Sequence, residues 1–155
     1  INETLKAVDT LDTQIVWLWP NIDAGSDDIS KGLRMYREKN KESKIHFFKN
    51  FEVQDYARLI SNSNCLIGNS SSAIREGSFL GIPAVNIGTR QNGREICDNI
   101  IKVDYDCNKI AEAINKQINH GKYSKNKLYG DGNAGQKMAK ILENAELTIQ
   151  KKLTY

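Results

Sequence analysis

The run 64-NCLIGNSSSAIREGSFLGIPAVNIG-88 decides the fold. It starts with a short apolar stretch, 64-NCLIG-68, that suits a buried strand, and it breaks at a glycine and an asparagine. From about Ser72 to Leu80 it reads as a helix, closed by Gly81, and 83-PAVNIG-88 is strand-like again. A strand, a helix and a second strand joined by such short loops predict two parallel strands linked by a helical crossover.

The same grammar extends in both directions. Upstream, 13-TQIVWLWP-20 is β-branched and aromatic, nearly continuous in apolar character, and stops at a proline, as a strand buried on both faces would. A helix follows, with Ser26 as its expected cap, Asp27 and Asp28 in the first turn, Ile29, Leu33 and Tyr36 on the apolar side, and Arg37 and Lys39 at the end. Then come 44-KIHFF-48 as a strand and 52-EVQDYARLISN-62 as a helix. Downstream, 99-NIIKVD-104 is a further short strand, and a helix runs from about Cys107 to His120 before Gly121. After 130-GDGN-133 a last amphipathic helix carries Met138, Ile141, Leu142, Ala145 and Ile149 on one face. The chain opens on helix-like sequence at Ile1. Alternating strands and helices predict an α/β fold, a Rossmann-like parallel sheet with helices on both faces, in one domain over residues 1–150 with a tail at 151–155.

Composition sets the outer limits. A chain of 155 residues with 39% hydrophobic residues suits one domain with a real core. Its apolar runs, such as Ile15 to Trp19, fall far short of the roughly 20 residues of a spanning helix, and no basic, then apolar, leader opens the chain. The expectation is a soluble, cytoplasmic protein that engages no membrane. Cys65, Cys97 and Cys107 lack CxxC spacing and His46 and His120 lie far apart, so neither a metal nor another cofactor is expected. A formal net charge of +3, spread along the chain, is too mild to imply nucleic acid. The first residue is Ile1 rather than methionine, and the chain is expected to be a piece of something longer.

In open parallel sheets ligands bind beyond the carboxyl ends of the strands, which directs attention to 20-PNIDAGS-26, 49-KNF-51, 68-GNSSS-72 and 88-GTRQNGRE-95. At 68-GNSSS-72 a helix begins among serines, so unpaired backbone N–H groups, the helix dipole and the hydroxyls of Ser70 and Ser71 can meet an anion together. The same residues also suit an ordinary helix cap. Arg90, one strand further on, has a guanidinium able to grip two phosphate oxygens, or is a plain surface arginine. Glu76, one turn into the serine helix, can accept bonds from two ribose hydroxyls, complement the helix dipole, or pair with Arg75 or Lys31. Asn21, Asp23 and Ser26 fit a second strand-end loop and equally a turn. Phe51 stands where a base could lie, or serves as a hydrophobic staple for the following helix.

With these residues in place, the chain resembles the C-terminal half of the UDP-N-acetylglucosamine 2-epimerase family, and most closely its hydrolysing, sialic-acid-pathway branch. The resemblance rests on 20-PNIDAGS-26, 66-LIGNSSSAIREGSFLGIPAVNIGTRQNGRE-95 and 129-YGDGNA-134, in the family's order and spacing. It implies a two-domain GT-B architecture with a nucleotide sugar between two Rossmann-like halves. Carried over by motif, it implies diphosphate contacts from Ser70 and Ser71, a ribose ligand in Glu76, a contact near the phosphates from Arg90, and a cleft residue in Asn21. At Phe51 it implies that the backbone holds uracil. It implies removal of the C2 proton of UDP-N-acetylglucosamine, departure of UDP to leave a glycal, and addition of water to give N-acetylmannosamine. The acid–base groups for that chemistry belong mostly to the family's N-terminal half, so no catalytic residue is assigned in this chain. The partners so implied are UDP or its sugar, the N-terminal domain of the same polypeptide and further copies of the protein. Other classes stay open: the same reaction on a UDP-2,4-diacetamido sugar, a non-catalytic UDP-binding or regulatory module, or half of a GT-B glycosyltransferase.

Overall fold

A computed structural model describes residues 1–21 and 25–146. The element order is α1 (Asn2–Asp9), β1 (Ile15–Leu18), α2 (Ser26–Lys39), β2 (Ile45–Phe48), α3 (Val53–Asn62), β3 (Leu66–Gly68), α4 (Ser71–Ile74), α5 (Glu76–Leu80), β4 (Ala84–Ile87), β5 (Ile100–Val103), α6 (Cys107–His120) and α7 (Ala134–Glu143). Every expected strand is present within a few residues of its expected ends, and so are the expected helices, except that the 72–80 helix is divided in two and the last helix stops at Glu143, which leaves Ala145 past its end. The class is α/β with parallel strands flanked by helices.

The strand pairing is parallel throughout, in two hydrogen-bonded sheets where one was expected. β1 pairs with β2, from Ile15 beside Ile45 to Leu18 beside Phe48. β3, β4 and β5 form the second sheet, with Leu66 beside Ala84 and Ala84 beside Ile100. No ladder joins the two among the described residues; apolar packing does. Ile15, Trp17, Phe47, Ile67, Val85 and Ile87 all belong to one core cluster with Leu5, Val8, Leu33, Ile110 and Ile114.

Alternation along β4 explains how both faces are covered. Val85 and Ile87 point into the large cluster shared with α1 and α6, whereas Ala84 points to the other face, where Ala73, Ile74, Leu66 and Ile100 meet. β4 is buried at every position, the pattern of a strand with helices on both sides. A buried polar network pins this arrangement: Ser78 Oγ donates to Asn99 Oδ1 (2.8 Å), and Asn99 Nδ2 donates to the Ile82 carbonyl (2.8 Å). Gln117 Nε2, on α6, donates to the carbonyls of Ala84 and Asn99 and accepts from Tyr123. These bonds satisfy groups whose burial would otherwise cost stability.

Two local expectations are corrected. Ser26 does not cap α2; it is the first helical residue, and Gly25 takes the cap position at φ +82°. The helix expected from about Ser72 to Leu80 divides into α4 and α5 at Arg75, whose ψ of −70° lies at the edge of the helical range. Gly81 ends α5 at φ +69°, as expected, in a place where an added Cβ would sit 2.1 Å from the Tyr123 carbonyl oxygen. Among the described residues no helix is long and apolar enough to cross a membrane. Asp23, Ile149 and the 151–155 tail lie outside the described residues.

Candidate functional site

The parallel register places the carboxyl ends of β3, β4 and β5 at one edge, with Gly68, Asn86 and Lys102 side by side. The chain leaves β3 through Gly68, at φ +135°, a conformation that L side chains rarely adopt. Asn69 and Ser70 follow, and α4 begins at Ser71.

The three serines do three different things. Ser70 is the helix cap: its Oγ accepts from the Ser72 N–H at 3.2 Å, which leaves its own hydroxyl hydrogen free to donate. Ser72 is held from α3, where Tyr56 donates to its Oγ at 2.9 Å. Ser71 is half-buried at the first helical position. The ordinary cap reading and the anion reading of Ser70 are therefore compatible, because capping uses the oxygen and anion binding would use the hydrogen.

Arg90 is exposed in the turn after β4, a turn closed by the Asn92 N–H donating to the Thr89 carbonyl at 2.9 Å. Its neighbour Gln91 is buried, 3% exposed, and its Nε2 donates to the Asn69 carbonyl at 2.7 Å. That bond ties the loop carrying Arg90 to the loop carrying Ser70 and Ser71. Glu76 is exposed at the start of α5 rather than inside one continuous helix with the serines.

Asn21 and Phe51 stand at the carboxyl ends of the other sheet. Asn21 is exposed just past β1, and Phe51 is half-buried with its ring 5.0 Å from that of Phe48 at the end of β2. The ring contact of Phe51 is thus with the strand end. Ser70, Ser71 and Arg90 are brought onto bonded loops; Asn21 and Phe51 share the strand-end side of the β1–β2 pair.

Two residues went unnoticed in the sequence. Asn86 and Gln91 are buried amides whose side-chain oxygens, Oδ1 and Oε1, have no partner, while each amide nitrogen donates to a loop carbonyl, of Gly88 at 3.4 Å and of Asn69 at 2.7 Å. Asn86 offered a signal, a polar residue at an inward position of an otherwise apolar strand. Gln91 offered none, since a polar residue beside an arginine in a loop reads as solvated.

Chemically this edge carries hydroxyl and guanidinium groups, with Ser70 and Arg90 exposed and Ser71 half-buried. Among the described residues no group of three or more His, Cys, Asp or Glu side chains could hold a metal ion. The Cys65 thiol, just before β3, is pushed by burial up to about 12, which keeps it protonated and a poor nucleophile near neutral pH.

The sequence matches the family described as UDP-N-acetylglucosamine 2-epimerase over residues 1–143. It is 28% identical over 144 residues to a UDP-N-acetylglucosamine 2-epimerase of Neisseria meningitidis serogroup B, a match that covers 91% of this chain and 37% of that protein. It is 30% identical over 146 residues to a UDP-N,N'-diacetylbacillosamine 2-epimerase (hydrolyzing) of Legionella pneumophila, covering 94% and 38%. It is also 37% identical over 117 residues to a GDP/UDP-N,N'-diacetylbacillosamine 2-epimerase (hydrolyzing) of Campylobacter jejuni, covering 75% and 30%. The chain thus spans well under half the length of these relatives. With a family match over nearly all of its described length, the chain belongs to the UDP-N-acetylglucosamine 2-epimerase family, a family of enzymes.

Proposed function

We propose that this chain is the nucleotide-holding part of a hydrolysing UDP-N-acetylglucosamine 2-epimerase, with the remainder of the polypeptide supplying the acid–base groups. The observation that carries the reading is the Gln91–Asn69 bond, which sets the arginine loop against the serine loop at the carboxyl edge of a parallel sheet. In this reading Ser70 and Ser71 donate to the diphosphate, Arg90 meets its charge, and Glu76 accepts from the ribose hydroxyls. Asn21 lies beside the nucleotide, and the backbone at Phe51 holds uracil. The protein works in the cytoplasm as a homo-oligomer.

The reaction removes the C2 proton of UDP-N-acetylglucosamine, expels UDP to leave a glycal, and adds water to give N-acetylmannosamine and UDP. As the C1–O bond breaks, negative charge builds on the departing diphosphate. Fixed N–H, hydroxyl and guanidinium donors stabilise that charge more strongly in the transition state than in the bound substrate, which lowers the barrier.

A second reading has its own support: two of the three relatives above carry names with a diacetylbacillosamine substrate, and at the higher identities. It keeps every role in this chain and changes only the sugar. The test is to supply the full-length protein with UDP-N-acetylglucosamine and, separately, a UDP-2,4-diacetamido sugar, measuring UDP release and identifying the sugar product by NMR. UDP release from one of them by the full-length protein, and from neither by the 155-residue chain alone, is the expected result. No release from either sugar, or turnover by the chain alone, defeats the proposal.

A further inference from the structure

We propose that Gln91 is a positioning residue that aims the serine loop at the diphosphate, a role that rests on the nucleotide reading above. Its side chain is buried, yet it is a poor space-filler: Oε1 has no partner, and a buried acceptor left unpaired costs stability that a purely apolar side chain of similar volume would not incur. What the amide provides is its other half, the 2.7 Å bond from Nε2 to the Asn69 carbonyl.

That carbonyl is a specific choice of target. A peptide unit is planar and trans, so the Asn69 C=O and the Ser70 N–H point in opposite directions within one rigid plane. Holding the carbonyl toward Gln91 turns the Ser70 N–H the other way and sets the direction in which the chain enters the Ser70 cap. Gly68 makes this anchoring necessary. Its backbone at φ +135° belongs to a residue with wide conformational freedom, so the loop after it gains little definition from its own steric limits. Because Arg90 precedes Gln91 directly, the same bond fixes the spacing between the guanidinium-bearing turn and the serines. Asn86 repeats the pattern one strand position inward, donating to the Gly88 carbonyl with its own oxygen unpartnered, so both strand-end loops are held by buried amides.

The role predicts a selective defect. In the full-length protein, the affinities for UDP and for uridine are measured by ligand-observed NMR in wild type, Gln91→Met and Gln91→Glu. Methionine fills the space without a donor, and glutamate places a carboxylate oxygen against the Asn69 carbonyl. Wild type prefers UDP over uridine. Gln91→Met weakens UDP binding about tenfold while leaving uridine within about twofold, as loss of a loop-ordering bond would, and Gln91→Glu weakens UDP at least as much. If Gln91→Met keeps the wild-type UDP-to-uridine ratio, the positioning role is overturned while the nucleotide site stands. Equal loss of both ligands makes Gln91 merely structural and also overturns it. A wild type with no preference for UDP removes the nucleotide reading, and this inference with it.

Discussion

Arg90 sits one residue from the buried amide that anchors its turn, so its charge is delivered from a fixed backbone by an exposed side chain. If it meets the diphosphate as UDP departs, Arg90→Ala in the full-length protein lowers kcat for UDP release by a factor of about 10² to 10³, the usual effect of losing one transition-state donor. Arg90→Lys restores only part of this, since an ammonium keeps the charge but not the two-pronged geometry. Steady-state kinetics on the three forms check the prediction, and an unchanged kcat in Arg90→Ala removes Arg90 from the site. The placement of Arg90 and the serines at strand ends was legible in the sequence, because the alternation of strands and helices fixes which loops lie at the carboxyl edge of a parallel sheet. Gln91 was not, because its burial follows from packing against a loop that begins 22 positions earlier, which no local pattern encodes.

At the level of elements, the start of α7 shows how a turn and a helix are joined by charge. Asp131 accepts from Lys137 Nζ at 2.9 Å and from the Asn133 N–H at 3.1 Å, and these bonds hold its carboxyl at about 2, below its ordinary 3.8. A carboxyl lowered in the folded state adds stability above its ordinary value, and that contribution fades as pH falls from about 4 through about 2. NMR titration of the Asp131 carboxyl should give a midpoint near the lower figure, and Lys137→Met should move it up toward the ordinary one; a midpoint unaffected by that substitution rules out Lys137 as the main cause. Element type was readable throughout the chain from hydrophobic period and from glycine and proline punctuation. The corrections fell at element ends. Gly25 displaced Ser26 as the cap of α2, a position where glycine and serine are both acceptable, and α4 parted from α5 at Arg75, where the apolar period runs on without a break.

For the whole molecule the informative feature is an apolar face that the described residues leave exposed. α7 is amphipathic, yet it has no buried residue, and Met138, Ile141 and Leu142 are 57%, 67% and 63% exposed. The sequence announced that such a face exists without saying what covers it, since an apolar stripe specifies only that some surface is to be met. The chain spans 37% and 38% of the lengths of two of its relatives, so in a protein of their size more than half of the molecule is available to cover this face. Replacing Ile141 and Leu142 together by glutamine separates the possibilities, because glutamine is a good helix former and changes the face without weakening the helix. In the 155-residue chain, where both side chains are already exposed, the double substitution should shift stability by no more than about 0.5 kcal/mol. In the full-length protein, if the remaining polypeptide packs on α7, it should cost about 2 to 5 kcal/mol, the range for losing buried aliphatic contacts. Denaturant unfolding of the two lengths, each with and without the substitutions, gives the comparison. Equal small effects in both would mean that α7 faces water in the longer protein as well, and that the additional polypeptide does not pack on it.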